Sequence, residues 1–389
     1  MNYSSIHRNI QNHSDLVWGW ELIIYDYSQY LMKQGCEIFW LLYSDSVLKF
    51  KPLLDGIHLI RVKKRQNWYN PMEGIRLLLA LIAVVKKYSI NVLYTRATFL
   101  GFIAGLSCKI TGIPFIFHVE DLEASLIKAS SKSKMVYPLA ILALFYQRCA
   151  TLLASKIITV SKAFKDFLIT SWSIVNKKIE ILYEGVEVPK GTKVKNSDLK
   201  GNAFSILYVG GTTNYDGIDI LITAFAKIAK KIKKTRLIIA TFSPDSHCLH
   251  LKRLCKSLNI AERVNFSSSI TGEIVRSLAR NSDIAVIPRK RTLSTELTTT
   301  SVIFLYISEG VPIIAPRLRA ILELMNGDAI FFEPENVDSL ADAMTQLISD
   351  EQRRIELHSR LLQLKDTLSR ERMCKRLGDI IKTLVREKI

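Results

Sequence analysis

The chain has 389 residues, 48% apolar and 23% charged. That composition excludes a disordered polymer, and the length exceeds what one hydrophobic core usually serves, so two domains are expected. Its 54 Lys and Arg against 36 Asp and Glu leave a formal net charge of +18. Such a surplus suits anionic partners, nucleotide phosphates or acidic lipid headgroups, with a solvated basic surface as the plainer reading. No nucleic acid is expected as a partner, because the basic residues are spread through amphipathic segments without zinc-finger spacing or an aromatic-basic RNA-binding pattern.

Met1 to Asp15 is polar and lacks the apolar core of a signal peptide. Short β-rich runs then alternate with helical patterns, the signature of βαβ units and parallel sheets. Strands are expected at Glu37–Leu42, Ile57–Val62, Asn91–Thr95, Pro114–His118, Lys156–Val160 and Ile179–Tyr183. Helices are expected at Trp20–Gln34, Gly74–Lys87, Thr98–Thr111, Tyr137–Ala154 and Lys162–Thr170. A doubly wound domain should open with a buried strand feeding a glycine turn. No apolar run precedes Val17, and only Trp18-Gly19-Trp20 stands at the turn, so either the start is truncated or the first strand is lost.

The longest uncharged apolar runs, Ala97–Cys108 and Met135–Gln147, fall short of the roughly 18 residues of a spanning helix. Lys and Arg flank both runs, which suits a peripheral seat on an anionic membrane surface, through Lys63, Lys64, Arg65 and the helices near Lys128–Lys134.

Pro189 to Asn202 is polar and aperiodic, the best linker in the chain. The expected domains are therefore 1–190, a linker 191–203, 204–369, and a terminal helix 370–389 that crosses back to the first domain or stands apart. In the second half strands are expected at Ser205–Val209, Thr235–Thr241, Arg263–Phe266, Asp283–Pro288, Pro312–Ala315 and Ala329–Phe332. Gly217–Ile232, Thr271–Arg280, Thr298–Glu309, Val337–Ser349 and Arg370–Glu387 read as helices. Two open parallel sheets place ligands outside the carboxyl ends of their strands. The six scattered cysteines suit reduced thiols, and His247, Cys248, His250 and Cys255 match no zinc template, so no metal is expected.

Several segments, in order, resemble the GT4 family of glycosyltransferases and the related glycosyl transferases group 1 domain. They are Gly19–Ile38, Phe117-His118-Val119-Glu120-Asp121, Ser155–Leu168, Ile181–Val186, Ile206–Ala224, Glu262–Phe266, Asp283–Pro288, Glu296–Pro316 and Ala329–Pro334. The resemblance implies an α/β protein of GT-B fold, two Rossmann-like doubly wound parallel-sheet domains facing a cleft. It implies retaining, metal-independent transfer from a UDP- or GDP-linked sugar to a cell-surface polysaccharide or glycolipid acceptor, without a cofactor. The location implied is cytoplasmic, with a peripheral seat on the inner face of the cell membrane.

Sugar transfer develops charge on a departing phosphate, which fixed donors in a dry site stabilise. Where the family has Val-Gly-Arg and then Lys-Gly, this chain has Val209-Gly210-Gly211 and Asp216-Gly217. Val302 and Leu305 stand at the family's later lysine and glutamate. What remains for donor binding is Gly19, the turn Gly210-Gly211-Thr212, the helix start at Thr299, Thr300 and Ser301, and the trio Arg289, Lys290 and Arg291. That trio either replaces the lost cations or is a solvated loop. Glu184 stands at the family's asparagine, as a donor contact or a hinge residue only. The catalytic candidates are His118, in contact with the donor sugar or the acceptor hydroxyl, and Glu296, serving the donor sugar or ribose. Their plainer readings are a core histidine and a capping glutamate. The alternative function is a diverged, non-catalytic homologue that binds a sugar nucleotide or a partner transferase.

Overall fold

The structure, a computed structural model, describes residues 20–44, 56–63, 71–130, 136–187, 203–241, 246–268 and 272–387. Gly19, Lys64, Arg65, residues 131–134 and all of the expected linker except Ala203 lie outside the described residues. The described residues form two compact units, one holding those up to Tyr183 with those from Glu371 onward, the other Glu184–Arg370.

In the first unit β1 (Ile38–Ser44) pairs in parallel with β2 (Ile57–Lys63). A separate parallel sheet runs β3 (Leu93–Thr95), β4 (Phe115–Val119), β5 (Lys156–Thr159) and β6 (Ile179–Ile181), in that order. Every residue of β4 is buried, as a central parallel strand covered on both faces requires. Among the described residues no strand joins the pair to the larger sheet, so the expected doubly wound sheet is split here. Side chains bridge what the backbone does not: Leu41 and Tyr43 of β1, Val62 of β2 and Leu93 of β3 pack on Leu77, Leu81 and Ile103. The helix Arg370–Arg386 also belongs to this unit, burying Met373, Cys374 and Leu377 in a cluster with Ile23, Tyr27, Ile116 and Ile158.

The second unit has one six-stranded parallel sheet. Its strands are β7 (Phe204–Gly210), β8 (Thr235–Thr241), β9 (Val264–Ser268), β10 (Ile284–Val286), β11 (Ile313–Pro316) and β12 (Ile330–Phe332). Their order is β12-β11-β10-β7-β8-β9. The winding reverses between β7 and β10, and the crevice at their carboxyl ends is where such sheets receive ligands. The core beneath is apolar and dense, with Leu221, Phe225, Leu237, Ile239 and Met344 fully or almost fully buried.

The expected strands are all present, with ends displaced by a residue or two. The expected helix Thr298–Glu309 is corrected: Leu293–Leu297 and Ser301–Glu309 are separate, with Thr298 and Thr300 in extended conformation between them. The helices Glu123–Ser130, Arg319–Met325 and Glu351–Thr367 were not legible. In the last, only Leu357 and Leu361 are buried, too sparse a stripe to give a helical period.

Candidate active site

The loops at the switch point are Gly210–Gly217, after β7, and Ile287–Arg291, after β10. Gly210 has φ +156°, and a Cβ there would stand 2.6 Å from the Tyr208 hydroxyl. That hydroxyl donates to the Gly211 carbonyl at 2.6 Å, while the Val209 amide donates to the buried Tyr306 hydroxyl at 2.9 Å. Two tyrosines thus fix the turn from behind. Burial pushes both phenols well above their ordinary range, so they stay protonated, and Asp216 raises Tyr208 further while Arg289 opposes it.

Asp216 is folded into the same loop. Its Oδ2 accepts from the Thr213 amide at 2.8 Å and the Thr213 hydroxyl at 2.6 Å, closing a capping box. A Cβ on Gly211 would meet that oxygen at 2.8 Å. Gly217, at φ +72°, lies so close to β10's exit that a Cβ would overlap the Pro288 carbonyl at 1.9 Å. The Lys290 amide completes the junction by donating to the Tyr215 carbonyl at 2.9 Å.

This docking separates the basic trio. Lys290 Nζ lies 2.9 Å from Asp219 Oδ2, holding the start of helix Ile218–Lys231. Arg291 Nε lies 2.8 Å from Glu296 Oε1, and its Nη2 donates to the Arg317 carbonyl. Arg289 turns instead toward the glycine loop: it is close enough to influence Tyr208, and its Nη1 donates to the Thr299 carbonyl across 3.4 Å.

The helix Ser301–Glu309 begins beside Thr299 with no side-chain cap on its N-cap Thr300. Its far end is closely held, the Gly310 carbonyl by His358 at 2.6 Å and the Ser308 carbonyl by Lys365 at 2.9 Å. At the near end the Ser301 hydroxyl donates to Glu184 Oε1 at 2.9 Å. Thr212 is buried in the glycine loop. Glu296 lies apart from the loop, for its other oxygen accepts from the Arg319 amide at 2.9 Å and caps that short helix.

In the first unit, His118 of β4 is 1% exposed. Its Nδ1 is 2.6 Å from the Tyr94 hydroxyl of β3, and its Nε2 is buried without a hydrogen-bond partner. Burial, then the nearby Arg96, hold its pKa well below the ordinary histidine range, so the imidazole is neutral. Arg96, at the end of β3, forms an ion pair with Glu120, which follows β4. Tyr94, Arg96, His118 and Glu120 therefore gather at the carboxyl edge of one sheet.

Among the described residues no three His, Cys, Asp or Glu side chains are grouped to hold a metal. All six cysteines are free, and Cys248 and Cys255 lie on the buried side of helix Ser246–Ser257.

The sequence pattern described as Glycosyltransferase Family 4 matches residues 19–189, and that described as Glycosyl transferases group 1 matches residues 203–350. The chain belongs to the GT4 glycosyltransferases. A curated relative, an uncharacterised glycosyltransferase of Methanocaldococcus jannaschii, is 25% identical over 233 residues, 57% of this chain and 56% of its own. The chain thus aligns with just over half the length of that relative. Solved structures share the GT-B fold. The glycosyltransferase of Rickettsia africae ESF-5 has a TM-score of 0.75 at 18% identity, over 94% of each chain. Anabaena HepE, solved with UDP, has a TM-score of 0.74 at 16% identity, over 94% of this chain and 96% of its own.

Three residues that shape this GT4 chain's candidate site escaped sequence reasoning: Tyr208, Tyr306 and Arg96. Nothing local marks the tyrosines, since their partners lie across the fold or on the backbone. The Thr213-to-Asp216 spacing, by contrast, is a readable capping box.

Proposed function

We propose that this chain transfers a sugar from a UDP- or GDP-linked donor to a cell-surface polysaccharide or glycolipid acceptor. Transfer is retaining and metal-independent, and takes place in the cytoplasm at the inner face of the membrane. One observation carries the reading: at the switch point of the second sheet, Arg289 is the basic residue of its trio turned toward an open glycine turn. The diphosphate lies against the backbone of Gly210, Gly211 and Thr212, and against Thr299 and Thr300 where they lead into the helix, whose first amide, at Ser301, supplies partial positive charge. Arg289 neutralises the charge that grows on the leaving phosphate. Lys290 and Arg291 act at one remove, by holding the loop. The UDP held by HepE supports uridine as the base.

On this reading the departures at positions 211 and 216 are one change. Asp216 takes the room beside Gly211 that an arginine there would need, and the cation enters from β10 instead. His118 stays neutral and takes up no second proton, because its charged form is disfavoured by burial and Arg96, so it serves the sheet edge through Tyr94 and is not an acid in the reaction. Glu296 holds Arg291 and the Arg319 helix start in place, which leaves it a supporting part.

The second reading, a homologue that binds without turnover, is favoured by the Asp216 and Glu184 carboxylates beside the phosphate path. Thermal unfolding with UDP or GDP, followed by donor turnover in the presence of acceptor, separates the two. Protection with turnover supports the enzyme, protection without turnover supports the binding protein, and no protection by either nucleotide sinks both. Arg289→Ala should weaken nucleotide binding about 10- to 100-fold, the worth of a charge-assisted contact. Lys290→Ala should cost less.

A further inference from the structure

Three helices of the first unit pack side by side: Pro71–Lys87, Thr98–Thr111 and Tyr137–Leu153. Gly101 and Gly105 let two of them close on each other and on the sheet, since a Cβ would come within 2.7 Å of Phe117 at one and Leu153 at the other. Inward faces are ordinary core, with Leu77, Ile103, Ala140 and Ala143 buried.

The outward faces are not ordinary. Along Tyr137–Leu153 helical spacing brings Ile141, Phe145, Arg148 and Leu152 to the surface, the three apolar ones 64%, 55% and 56% exposed. A water-facing helix carries polar groups there, yet Arg148 is the one charged residue of this helix. Phe102 continues the surface onto the next helix, its ring 6.2 Å from that of Phe145. On Pro71–Lys87, Met72 and Leu79 are 67% and 62% exposed. Of sixteen large hydrophobic residues exposed among the described residues, ten lie on these three helices, too many in one place for the scatter a soluble surface tolerates.

The charges have one sign. Arg148, Lys109, Lys86 and Lys87 are exposed on these helices. The single carboxylate, Glu73, is buried and held by Arg76 and Tyr43. A second copy meeting this face would bring cations against cations with no carboxylate between them, which disfavours self-association.

We propose that this three-helix face seats the protein on an anionic lipid bilayer. Ile141, Phe145, Leu152, Met72 and Leu79 enter the boundary between headgroups and acyl chains, and the surrounding cations meet lipid phosphates. No helix among the described residues is long and apolar enough to cross a membrane, so the attachment is in the interface plane. The proposal rests on the membrane location given under the proposed function, and adds the apolar contact and its residues.

Sedimentation of the full chain with phosphatidylcholine vesicles, with and without phosphatidylglycerol, tests it. Wild type should bind the anionic vesicles and be only partly released by salt. Ile141→Ser with Phe145→Ser should lower binding at least about tenfold, from the apolar area lost. Arg148→Glu should lower it roughly tenfold at low salt and little at high salt. Leu79→Ser, on a different helix, guards against one misfolded variant, and unchanged unfolding temperatures confirm that each variant is folded. Salt-sensitive wild-type binding that the double variant leaves intact overturns the apolar seat while the charge-based location survives. No vesicle binding at all overturns both. A wild-type dimer in light scattering that the double variant dissociates assigns the face to self-association and overturns the proposal.

Discussion

The carboxyl edges of the two main sheets gather similar residue types and use them in opposite ways. At β3 and β4, Arg96 and Glu120 neutralise each other, and His118 is sealed and uncharged beneath Tyr94. At β7 and β10, the carboxylates of Asp219 and Glu296 tie down Lys290 and Arg291, while Arg289 donates to a carbonyl, has no carboxylate partner among the described residues, and stays turned toward a glycine turn. Both edges share parallel-sheet geometry. What distinguishes them is how far each charge is matched, since a buried edge must pair its ions and a solvent-lined one can leave a cation for a ligand.

The largest effect should come from breaking the junction that presents Arg289. Gly217→Ala meets the Pro288 carbonyl with a positive φ besides, and should cost roughly 3 kcal/mol or more of stability in denaturant unfolding. A loss under about 0.5 kcal/mol would show that the β7 and β10 loops do not depend on this contact.

Protonation tests the first edge. Because His118's pKa lies below its unfolded value, the unfolded chain binds the extra proton first as pH falls through the ordinary histidine range. Stability is therefore fully present above that range and declines below it, by up to about 1.4 kcal/mol per pH unit for one proton. His118→Gln should flatten that slope between pH 7 and 5, as read from unfolding midpoints. An unchanged slope would mean the imidazole is not held neutral.

The coupling between positions 211 and 216 sharpens the second edge. Gly211→Arg alone should destabilise the loop, whereas Gly211→Arg with Asp216→Lys should recover about 1 kcal/mol in a double-mutant cycle. Strict additivity would contradict the view that the two departures are one change. The smallest effect expected is at Glu184. Asn in its place removes a carboxylate from the helix start at Ser301, and should tighten UDP binding a few-fold in calorimetry. Weaker binding would make Glu184 a donor contact in its own right.

Much of the fold was readable because parallel strands buried on both faces are continuous apolar runs, as in Ile206–Val209 and Leu237–Ala240, and Gly210-Gly211 mark the turn after the first of these. The split between β1–β2 and β3–β6 was not readable, for strand pairing is a long-range property of backbone edges. At the candidate site, the glycine turn, the basic trio and the helix start were all visible in sequence. Their division of labour was not: Lys290, Arg289 and Arg291 look alike in a row, and only Asp219, Thr299 and Glu296, brought in from other elements, tell them apart.

Local periodicity, composition and motif order sufficed by themselves to determine the alternation of strands and helices, the GT4 likeness and the residues at the switch point. Which cation stays open, why Gly211 and Asp216 must change together, and that an apolar helix face lies bare beside cations were decided by tertiary structure. The reason is physical: pairing, steric exclusion and exposure depend on neighbours distant in the chain, and no local pattern encodes them.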